Sequence, residues 1–165
     1  MYKIGDKVLY GALGVTEIVD ISDQTVGEST KKYYVLKELA SPSSSLTYIP
    51  LENEELTSQM KTLLTADEVI DVIKTAKSQS DLEWIEDNRA RSEMYKKILA
   101  SGDRVRMLVM MNSIYHTGQR REQEGKKNFI ADEGSMKRAE KIIYCEFSLA
   151  LGIPEDEVQE FIRNL

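Results

Sequence analysis

A chain of 165 residues with 41% apolar and 30% charged side chains can bury a core, as one domain or two small ones. It contains no apolar run of about eighteen residues, and its opening MYKIGDKVLY lacks a signal-peptide apolar region, so a cytoplasmic protein with no membrane association is expected. A single cysteine, Cys145, excludes an intrachain disulfide and a thiolate zinc cluster, and a net charge of −6 opposes tight free-standing DNA binding, which depends on neutralising phosphates.

The first fifty residues read as β structure. Lys7 to Tyr10 is a short strand, and Gly14 to Ile21 alternates through Val15, Glu17, Val19 and Ile21. Lys32 to Glu38 is rich in β-branched and aromatic residues, and Leu46 to Pro50 follows the Ser-rich turn SPSSS. Turn signals at Gly11 to Gly14, Asp23 to Thr30 and Ala40 to Ser45 separate them, which predicts a small SH3- or Tudor-like barrel over residues 1–60. Such a sheet leaves edges free for a partner strand.

After Pro50 the pattern turns helical, and residues 61–165 are expected to form an all-α bundle, giving an α+β chain. Thr65-Ala66-Asp67-Glu68 is a capping box ahead of a helix that places Val69, Val72, Ile73 and Ala76 on one face. Ser80-Asp81-Leu82-Glu83 offers a second box just before Trp84. From Asn88 the stripe Met94, Tyr95, Ile98, Leu99 runs to Gly102, which suits the left-handed position that ends a helix. Asp103 can cap the next helix, with Val105, Leu108, Val109 and Tyr115 facing inward. TGQRREQEGKKN, from Thr117 to Asn128, is a polar helix end or loop. A long helix from Ala131 carries Met136, Ala139, Ile143, Phe147 and Ala150 inward to Gly152. Pro154 then opens a last helix with Val158, Phe161, Ile162 and Leu165 buried.

The stretch Trp84 to Asp103, WIEDNRARSEMYKKILASGD, holds the only tryptophan. Residues 84–148 carry 13 basic and 10 acidic side chains, against 5 and 9 in residues 1–60. An apolar ring beside Arg89, Arg91, Lys96 and Lys97 suits nucleic acid, because cations meet phosphates while a ring packs on or between exposed bases. The alternative is a core or interdomain tryptophan. The lone His116 has no nucleophile or orienting carboxylate suggested by spacing, Cys145 lies in an apolar helical pattern, and no Gly-rich phosphate loop is present. No catalytic residue, cofactor or metal ligand is therefore assigned, and a protein that is not an enzyme is expected.

The order of elements, with IGDKVLYGALGVTEI, KYYVLKE, LTYIP, a tryptophan followed by arginine and LASGD, and AEKIIYCEFSLALGI, resembles the bacterial CarD/CdnL transcription regulators, whose N-terminal Tudor-like domain is shared with transcription-repair coupling factor. The resemblance implies a polymerase-binding module at residues 1–60, docking through Tyr34, Leu36, Thr47, Tyr48, Ile49 and Pro50 on the RNA polymerase β subunit. It also implies a helical domain that meets promoter DNA at the upstream edge of the melted region, through Trp84, Asn88, Arg89, Arg91, Lys96 and Lys97. DNA binding would be weak alone and supported by the tether, and a monomer is expected. Trp84 lies a helical turn further from the Ser101-Gly102-Asp103 corner than the family pattern has it, which puts Asn88 in the wedge register; a helical segment would place both on one face. Tyr48 stands where the family commonly has arginine, and Gly11-Ala12-Leu13-Gly14 where it has proline then His-Gly. The alternative function is a protein-protein adaptor with no DNA contact.

Overall fold

In the computed structural model, which describes all residues except 42 and 44, the N-terminal sheet has five antiparallel strands: β1 (Lys7–Tyr10), β2 (Gly14–Val26), β3 (Ser29–Glu38), β4 (Thr47–Pro50) and β5 (Met60–Thr62), in the order β4-β3-β2-β1-β5. Two positions of the SPSSS turn thus lie outside the described residues. Side-chain alternation serves two cores at once. Val8 of β1 enters the barrel interior with Ile18, Tyr34, Leu36, Ile49 and Met60, while Leu9 of β1 and Val15 of β2 point the other way into the helical core. A bulge between Ile18 and Asp20 shifts the register. Ile18, just before it, is fully buried in the barrel, and Val19 within it is exposed.

Among the described residues α1 (Glu54–Thr57) lies between β4 and β5, and five helices follow the sheet: α2 (Ala66–Lys77), α3 (Asn88–Ser101), α4 (Arg104–Gln123), α5 (Ile130–Leu151) and α6 (Glu155–Asn164). The capping box at α2 forms in full: Glu68 N donates to Thr65 Oγ1 (3.2 Å) and Thr65 N to Glu68 Oε2 (2.7 Å). Gly102 ends α3 at φ 70°, and Asp103 accepts from Arg106 N (3.0 Å) to start α4. The box expected at Ser80 to Glu83 does not form, because no helix starts there and the residues between are tied to α4. Leu82 N donates to Ser113 Oγ (2.9 Å) and the Asp81 carboxylate pairs with His116 (2.9 Å). Tyr115 and Leu165, expected inside, are exposed. The Tyr115 hydroxyl accepts from Gln119 at the rim of α4, and Leu165 lies beyond the last helical residue.

The sheet and the helices share an interface. Gly14, at φ 75°, sits so close to α5 that a Cβ would lie 3.0 Å from Ile142 Cγ1. Around it, Arg138 donates to the Ala12 carbonyl, and Arg138 and Lys141 both pair with the nearly buried Glu38 of β3 (3.5 and 3.8 Å). Gly14→Ala should lower stability by about 1–3 kcal/mol through backbone strain alone. Displacement of Ile142 would add to that loss, which a urea titration measures; an unchanged midpoint would mean that the sheet can move off α5 freely.

Candidate functional site

Two surfaces hold the residues picked out from sequence. The first is the β4 edge. β3 pairs with β4 in the register Tyr34↔Ile49, Val35↔Tyr48 and Leu36↔Thr47, and among the described residues no strand lies on the outer side of β4. The opposite edge is partly occupied, since Arg104 donates to the Thr62 carbonyl of β5 (3.0 Å). Period-two alternation sends Tyr34, Leu36 and Ile49 into the barrel, where they are 4%, 1% and 3% exposed. Those three are packing residues and cannot offer side chains to a partner, which corrects their assignment as contacts. What the edge does present is backbone, half-buried Thr47 and Pro50, and Tyr48, 46% exposed with the Tyr33 ring edge-on at 6.5 Å.

The second surface surrounds Trp84. Residues 80–86 contain no helix or strand, so Trp84 and Asn88 do not share a helical face; Trp84 sits on a strap leading into α3. Trp84 is 39% exposed. The inner side lies against Phe129 (centroids 5.9 Å apart) and the Arg91 guanidinium (4.3 Å from the ring centroid), while Nε1 donates to Glu86 Oε2 (2.6 Å).

Arg91 was expected on phosphates, and the structure overturns this. The residue is fully buried, with Nε shared between the two Asp132 oxygens (3.0 and 3.1 Å), Nη1 donating to the Ile85 carbonyl (2.9 Å) and Nη2 to Asn88 Oδ1 (2.8 Å). Its charge is neutralised at the N-terminus of α5, a favourable place for the carboxylate. Asn88 remains exposed, but its side-chain oxygen is committed to Arg91. Arg89, Lys96 and Lys97 are exposed on α3. Lys96 and Lys97 lie about 12 Å or more along the helix from its start, at 1.5 Å per residue, and so stand apart from the ring.

A closer cation comes from the polar corner between α4 and α5. Arg121 lies 4.0 Å from the Phe129 ring centroid and donates to the Lys127 carbonyl (2.8 Å), with Arg120, Lys126 and Lys127 exposed nearby. Acidic groups intervene as well. Asp81, Glu83, Glu86 and Asp87 are exposed along the strap itself, and Glu124 pairs with Lys126 (3.3 Å). Phe129, Asp132 and Arg121 escaped the sequence reading. The Arg91–Asp132 bond spans 41 positions, and a salt bridge of that range leaves no periodic trace.

His116 is an exposed partner of Asp81, and Cys145 is buried, its thiol pushed up to about 11 chiefly by burial. A thiol so raised is a poor nucleophile. Among the described residues no cluster of His, Cys, Asp or Glu could hold a metal, and no helix is long and apolar enough to cross a membrane.

No curated protein matches this chain. Residues 2–62 match the family model of the CarD-like/TRCF RID domain, and that span runs through β1 to the end of β5, the whole five-stranded sheet. The N-terminal sheet is thus similar to the CarD-like/TRCF RID domain over its whole length.

Proposed function

We propose that this protein is a non-enzymatic, monomeric cytoplasmic transcription regulator. It binds the RNA polymerase β subunit through β4, and its helical domain contacts promoter DNA at the upstream edge of the bubble. The RID domain family is known for RNA polymerase interaction in transcription-related proteins, and this match carries the reading. The unpaired β4 edge supports strand addition as the mode of docking, in which backbone bonds supply affinity and alternate side chains supply selectivity. Tyr48, the exposed side chain of that edge, takes the selective role. Tyr48→Asp should weaken binding of the full chain to polymerase about tenfold, equivalent to about 1.4 kcal/mol, with an unaltered fold. Wild-type affinity in a pull-down or calorimetric titration would move the docking surface elsewhere.

At the second surface, the half-exposed Trp84 ring meets melted or distorted DNA, and Arg89, Arg121, Lys126 and Lys127 serve phosphates. Contacts that only the open promoter offers favour that state by their differential affinity. Trp84→Ala should then shorten open-complex lifetime while polymerase binding persists; an unchanged lifetime removes the ring from the mechanism. A protein-protein adaptor is the second reading, and the acidic strap favours it, since Asp81, Glu83, Glu86 and Asp87 would repel phosphate and attract a basic partner. Glu86→Gln separates the two. It strengthens the DNA contact if Trp84 faces phosphates, and weakens partner capture if the ring faces a basic protein surface.

A further inference from the structure

We infer that Arg91 is a positioning residue that sets how far the Trp84 ring projects, acting through Asp132 and Phe129 of the α5 N-terminus. The inference rests on Trp84 being the contact proposed above, whichever partner the ring meets. Strap residues 80–86 have no regular backbone pairing of their own, so the indole is placed by side-chain contacts. Three anchors hold the strap. Asp81 pairs with His116 (2.9 Å), Leu82 N donates to Ser113 Oγ (2.9 Å), and Arg91 Nη1 donates to the Ile85 carbonyl next to Trp84 (2.9 Å).

Only the Arg91 anchor also touches the ring. Its guanidinium carbon lies 4.3 Å from the Trp84 centroid and 4.5 Å from the Phe129 centroid, so one planar cation meets both aromatic surfaces. Asp132 fixes the direction of that plane by accepting Nε through both oxygens, with side chains 1% and 5% exposed. Asn88 Oδ1 accepts Nη2 (2.8 Å), so three nitrogens of the guanidinium have partners in three parts of the chain. A lysine at this position would keep the charge but present a point ammonium without the fork. The ring would lose its flat support, although the ion pair could persist.

Neither Trp84 nor Phe129 belongs to the apolar cores, which makes the display separable from folding. The outward side of the ring is then held ready before any partner arrives, which reduces the entropy lost on binding. Because Glu86 already takes the indole N–H (2.6 Å), the displayed surface is apolar and acts by shape rather than by donating a hydrogen bond.

Since Trp84 is the only tryptophan, its fluorescence reports the display directly. The test compares the full-length wild type with Arg91→Lys and Phe129→Leu, each under conditions where circular dichroism shows a folded chain. Both variants should shift Trp84 emission to the red, raise quenching by acrylamide, and move open-complex lifetime toward that of Trp84→Ala. A residue that merely supports the fold would lower the unfolding midpoint and leave emission and quenching of the folded protein as in wild type; that result overturns the inference. Should Arg91→Lys fail to fold, Phe129→Leu decides alone on the same readouts. If the fluorescence changes appear while Trp84→Ala has no effect on lifetime, the positioning stands and the DNA contact fails.

Discussion

Asp132→Ala is expected to lower folding stability by about 3–5 kcal/mol, because it strands the buried Arg91 guanidinium without its carboxylate. The remaining bonds to the Ile85 carbonyl and Asn88 Oδ1 are single and cannot balance a charge taken out of water. Replacing both partners by apolar residues, Arg91→Met with Asp132→Leu, should recover much of the loss, since no charge is then left buried. Guanidinium titrations of the two variants measure the difference. A loss below about 1 kcal/mol for Asp132→Ala would mean that Arg91 reaches water once its partner is gone, as exposed pairs do.

Glu146→Ala should cost a similar amount, about 3–5 kcal/mol, for a different set of orphans. The fully buried Glu146 accepts from Arg104 Nη2 (2.7 Å) and Nε (3.0 Å) and from the Leu64 backbone N–H (3.0 Å). Arg104 reaches on to the Thr62 carbonyl (3.0 Å), so one carboxylate ties the start of α4 and the middle of α5 to the segment between β5 and α2. Amide exchange at Leu64 gives a local readout. It should accelerate strongly in Glu146→Ala and less in Glu146→Gln, which keeps an acceptor in place. Exchange at the wild-type rate in Glu146→Ala would show that the Leu64 bond does not depend on this side chain.

Local signals were legible in the sequence where one segment carried its whole cause. The Thr65/Glu68 box, the left-handed Gly102 and the Asp103 cap act within one turn of chain, and each forms as its spacing predicts. β1 has the bounds its residues suggest. β5, three residues long, has no signal of its own and exists through pairing of Met60 to Thr62 with β1. The bulge at Val19 and the extension of β2 and β3 into a long hairpin were likewise hidden, because register depends on the partner strand. The site was the least readable part. Arg91 looks like its neighbour Arg89 in a list of cations, yet one is buried against Asp132 and the other is exposed. The acids of the strap were legible and weigh against the basic residues further along, a balance that counting charge over the longer stretch obscured.

The close seat of Gly14 on Ile142, with Glu38 gripped by Arg138 and Lys141, packs the sheet directly onto the helices. On the proposed reading, β4 and Trp84 are then the two ends of a ruler rather than two hands on a string. A flexible linker would let the ring search a volume, and its effective concentration would fall with linker length. A fixed span selects by offset: promoters whose melted edge falls at that distance from the docking point would feel the ring, and others would not, whatever their sequence.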